Sequence, residues 1–157
     1  MAQGFLVSLE SETPLTDLEK SLIEKHRIDE NKYRWEARYL EVAATEYAFY
    51  SLREGKFADR VAAVRQEYWK FWQELSSKGG ESAFIVGQCR ARLKTYAPAM
   101  DKDAQGGIGL AISTEFAHQF EPIPDAALPA LLAAGTAIFD GAFYSVTEML
   151  AKTDVKL

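Results

Sequence analysis

The sequence predicts an all-α, single-domain protein: a bundle of five to six helices built on a long antiparallel helical hairpin, about 30–54 and 57–78. Two observations carry this. Phe57, Val61, Val64, Tyr68, Phe71, Trp72 and Leu75 recur at steps of three and four, the stripe of an amphipathic helix. Of the nineteen aromatic residues, eleven lie between Tyr33 and Trp72, so this part of the chain should carry the core.

Taken in order, residues 5–9 suit a short edge strand within an N-terminal extension, 1–14. Thr16 and Glu19 form a Thr-x-x-Glu capping box, which starts a first helix from about Asp17 to Ile28 and buries Leu18, Leu22 and His26. Asp29-Glu30-Asn31 reads as the N-cap of a second helix that Gly55 stops. A one-residue turn there would fold the third helix back antiparallel, opposing Leu40 to Phe71, Ala44 to Tyr68 and Glu46 to Arg65. Gly79-Gly80 ends the third helix, and Ser82 caps a fourth that Pro98 closes. Residues 99–107 read as loop, and Ile108 to Phe120 suits a helix or, at its start, a strand. A last helix begins between Asp125 and Pro129 and runs to about Lys152, with a kink expected near Asp140-Gly141. It carries one large apolar face (Leu128, Leu132, Phe139, Phe143, Val146, Leu150) and one small-residue face (Ala134, Ala137, Gly141, Ser145), which leaves a homodimer through this helix open.

Charge is sorted along the chain: residues 1–55, 56–97 and 98–157 carry nets of −4, +4 and −5, and no Lys or Arg lies between Lys102 and Lys152. An acidic total of −5 disfavours nucleic acid, whose phosphates need excess positive charge, and favours a basic protein partner. The single cysteine, Cys89, excludes an internal disulfide, and the first residues lack a basic, apolar leader. A cytoplasmic setting is expected. The longest uncharged apolar stretch, 126–139 with its flanking Asp125 and Asp140, is shorter than a bilayer requires, so no membrane span is expected.

Three constellations touch on chemistry. Glu36 and Glu46 interrupt the apolar arc of the second helix, which suits either acid/base groups or buried ion pairs. Glu115-x-x-His118 resembles half of a ferritin-like di-iron site, but the only other histidine, His26, lacks a matching glutamate, so no metal is assigned. Asp101 to Ile108 resembles the first eight positions of an EF-hand calcium loop, yet Ile112 stands where the bidentate glutamate belongs. Cys89 shares a helical stripe with Ile85, Leu93 and Tyr96 and reads as a buried thiol. No nucleophile motif, phosphate loop or paired Cys-x-x-Cys appears, so neither catalytic residues nor a cofactor are assigned.

These observations point to a non-enzymatic acidic helical protein that neutralises or escorts a protein partner, in the manner of an inhibitor, antitoxin or immunity protein. Asp29, Glu30 and Glu41 would steer that partner, and Trp35, Tyr39 and Trp69 would anchor it. The alternative is a small-molecule-binding domain with an aromatic pocket in the C-terminal half, lined by Phe116, Phe120, Phe139 and Phe143 and oriented by His118 or Tyr144.

Overall fold

A computed structural model of the chain describes residues 14–101 and 108–152. Six helices make up these residues, with no strand among them: α1 Asp17–His26, α2 Glu30–Ser51, α3 Ala58–Ser77, α4 Gly80–Asp101, α5 Ile108–His118 and α6 Leu128–Lys152. The expected strand at 5–9 and most of the Asp101–Gly107 loop fall outside the described residues. Ile112, at the loop's twelfth position, is fully buried in the core.

Local chemistry sets the helix starts. Thr16 Oγ1 accepts from Glu19 N at 3.2 Å while Glu19 Oε2 accepts from Thr16 N at 2.7 Å, closing the expected capping box. Asp29 Oδ1 accepts from Lys32 N at 2.6 Å and opens α2. Gly55, Gly79 and Gly80 hold positive φ at the two turns flanking α3, a backbone region that other residues enter only with strain.

Side chains pack into two clusters. The first joins Tyr33, Leu40, Ala43 and Ala44 of α2 to Tyr96, Phe116, Leu131 and Phe139. The second joins Tyr39, Val42 and Phe49 of α2 to the whole α3 stripe and to Val86, Cys89, Val146 and Leu150. Both apolar stripes of α2 are therefore packed against other helices.

The long hairpin is not confirmed. Six residues, 52–57, connect α2 to α3 where a one-residue turn was expected. The two helices touch at Glu46–Arg65 and at the Phe49–Tyr68 ring pair, but Leu40 and Ala44 lie in the first cluster while Phe71 and Tyr68 lie in the second. With two apolar stripes on α2, periodicity could not decide which one α3 meets. Helix α2 instead runs mainly along α6 and α4.

Two further expectations are corrected. Leu18 is 84% exposed because ten-residue α1 buries only one narrow stripe, Leu22 and Ile23. Helix α4 continues through Pro98 to Asp101; Pro98 and Lys94 are both exposed, so water can serve the carbonyl that proline leaves unpaired. Helix α6 is long and apolar enough, by length and composition, to cross a membrane, and 22% of its apolar window is buried. It runs past Asp140 without a break to Lys152, beyond the uncharged run 126–139.

Candidate functional site

Between α2 and α4 lies a groove of about 470 Å³. Lys32, Trp35, Glu36 and Tyr39 form one wall; Glu81, Phe84, Ile85, Gln88 and Arg92 form the other. Each set follows the i, i+3, i+4, i+7 ladder of a single helix face. The Asp29 cap sets the phase of the first wall, placing Lys32 on the first turn and Trp35, Glu36 and Tyr39 on the next two.

Trp35 stacks on Tyr39 with ring centroids 5.9 Å apart and planes 26° from parallel. Across from them Phe84 is 65% exposed. Glu36 sits at the bottom, 4% exposed, and its Oε1 accepts a hydrogen bond from Arg92 Nη2. Burial pushes the Glu36 carboxyl above the ordinary value of 4.5, and the Arg92 guanidinium works against that rise. The same guanidinium lies 5.9 Å from the Tyr39 ring centroid, so Arg92 ties the carboxylate to the aromatic wall.

Of the side chains expected to bind a partner, the groove brings together Trp35 and Tyr39. Asp29, the N-cap of α2, and Glu30, its first residue, lie exposed within one turn of Lys32, and Glu30 pairs with Arg34 at 2.8 Å. Glu41 is half-buried and away from the groove, its carboxyl raised by burial against the pull of Arg38. Trp69 is half-buried on α3, edge-on to Tyr68 at 5.9 Å, and lines neither groove wall. Sequence reasoning missed Phe84, Gln88 and Arg92. Their signal was a second ladder on the fourth helix, offset from the Ile85-Cys89-Leu93-Tyr96 stripe.

Glu46 pairs with Arg65 at 3.5 Å, as the register predicted. Cys89 is buried and its thiol is pushed up to about 12, which leaves it protonated and inert. In the C-terminal half, Phe116, Phe120 and Phe139 are core residues: Phe116 meets Phe120 at 5.2 Å, and Tyr33 caps both rings within 6.0 Å. His118 and Tyr144 stand in solvent instead of among these rings, and Tyr144 donates to Glu148 at 2.9 Å. A second cleft, about 640 Å³, runs along the α5–α6 turn past His118, Glu121 and Asp125. Its polar walls are exposed, and among the described residues no three ligating side chains are grouped to hold a metal ion. The α2–α4 groove is the stronger candidate because it alone of the two joins exposed aromatic surface to a nearly buried charge.

Comparison with family models, curated proteins and solved structures finds no match.

Proposed function

We propose that this protein is a non-enzymatic binding protein that docks a basic protein partner in the α2–α4 groove and, by covering part of it, neutralises or escorts it. The observation that carries this reading is Phe84, 65% exposed beside the Trp35–Tyr39 stack on the rim of a cleft wide enough to take a side chain. Aromatic residues in a concave, partly desolvated setting are the usual anchors of protein interfaces. A net charge of −5, with Asp29 and Glu30 exposed beside the groove, supports a cationic partner and long-range steering toward it.

The test is affinity capture from the source cells with the intact chain and with Phe84→Glu. The wild-type chain should retain one basic protein in stoichiometric amount at low salt and release it as ionic strength rises, and Phe84→Glu should retain none. Equal capture by both chains, or no basic protein captured at any salt, overturns the reading.

A further inference from the structure

The α2–α4 groove is a trough with two distinct ends. Tyr33 shares the first core cluster with Tyr96, Glu36 pairs with Arg92, and Val42 shares the second cluster with Val86, so the two helices run antiparallel. Lys32 therefore marks one end of the trough and Glu81 the other. Both are exposed, and neither has an ion pair among the described residues. Between them Glu36 and Arg92 neutralise each other, which leaves mainly Trp35, Tyr39, Phe84 and Ile85 as contact surface. From Glu81 to Arg92 the wall follows α4 for about three turns, or about 16 Å at the α-helical rise.

Backbone groups decide what suits such a trough. Along both walls the N–H and C=O groups are spent inside α2 and α4, and no strand among the described residues offers an edge. An extended segment laid there would find no backbone partners, whereas a helix satisfies its own and needs only side-chain contacts. Resting on the proposed docking of a partner in this groove, we infer that the partner contributes an amphipathic helix of at least about three turns, which lies along the trough with its apolar stripe on Trp35, Tyr39 and Phe84. An acidic residue at one end of that helix meets Lys32, and a basic residue at the other meets Glu81.

The test follows the Trp35 indole resonance of the full chain by NMR, assigned through Trp35→Phe. The probe is the capped peptide EEQLAQLLQALAKK, whose leucines fall on one helical face. It should shift the resonance saturably and become helical on binding by difference circular dichroism, and the proline peptide EEQLAQPLQALAKK should do neither. Phe84→Ala, at an exposed position that does not threaten the fold, should abolish saturation. Glu81→Lys alone should weaken binding about threefold, the scale of one exposed ion pair, and adding Lys32→Glu should restore it by letting the peptide enter the other way round. An unmoved indole, equal binding of the proline peptide, or an affinity that Glu81→Lys does not lower overturns the helix assignment. Capture of a basic protein that Phe84→Glu abolishes, without peptide binding, also overturns it and leaves the docking groove standing. Peptide binding with no captured protein overturns the basic-partner reading and leaves the groove as a helix receptor.

Discussion

Two carboxylates on α2 meet two different fates, and their partners explain why. Glu36 is 4% exposed and its partner Arg92 keeps 28% of its side-chain surface, whereas Glu46 pairs with an Arg65 that is 53% exposed. Removing Arg92 strands a nearly buried charge, so Arg92→Met should cost about 3 kcal/mol, while Arg65→Met should cost under about 1 kcal/mol; thermal melting at pH 7 decides this. The pH dependence has a definite sign. Burial raises the folded-state value of Glu36 above 4.5, so the folded protein binds its proton more tightly than the unfolded chain does. Such a group costs stability at neutral pH, and the cost fades as pH falls through the raised value. Without Arg92 the value rises further, so the Tm deficit of Arg92→Met should narrow between pH 7 and about pH 5. A deficit that stays constant over that range would show that the lost charge is not what Arg92 supplies. Both carboxylates were legible in the sequence as breaks in an apolar arc, and Arg65 followed from counting along a hairpin. Arg92 lies 56 residues from Glu36, on a helix with which no local pattern pairs α2.

At the scale of elements, α5 and α6 pack closely where Gly135 meets Ser113 and Phe116. A Cβ placed on Gly135 would lie 3.0 Å from Phe116 Cδ1 and 3.1 Å from the backbone Cα of Ser113. Ser113 cannot yield easily, because its hydroxyl sits 2.7 Å from that of Thr136 across the same seam. Gly135→Ala should therefore destabilise the protein by about 1–2 kcal/mol despite the better helix propensity of alanine. Gly141, six residues on in the same helix, has nothing within 4 Å of its Cβ position, so Gly141→Ala should stabilise by up to about 1 kcal/mol. Chemical denaturation of the two variants separates these cases, and a stabilising Gly135→Ala would mean the seam is looser than described. In the sequence both glycines look like members of one small-residue helix. Capping signals and the α3 stripe were readable because they depend on neighbours within four residues. Which stripe of α2 meets α3, and whether Pro98 ends α4, depend on what lies outside each helix.

Across the whole molecule, α2 is the shared wall: its residues alternate between the two core clusters, and α4 and α6 also contribute to both. Neither cluster can lose its helices without opening the other, so unfolding should be a single transition. All three tryptophans, Trp35, Trp69 and Trp72, belong to the second cluster, which gives a direct check. Tryptophan fluorescence and far-UV circular dichroism should trace coincident denaturation curves, and separate midpoints would show two independent cores. By itself the sequence determined the all-helical class, the starts of α1 and α2, the buried face of α3, the burial of Cys89 and the acidic balance. Each follows from hydrogen bonding, periodicity or charge within a few residues. Only the tertiary structure decided that both apolar stripes of α2 pack against other helices, that Glu36 finds Arg92, and that Phe84 is left exposed beside Trp35 and Tyr39. Packing between helices far apart in sequence sets those outcomes, because a helix with two apolar faces can be satisfied in more than one way until its neighbours choose.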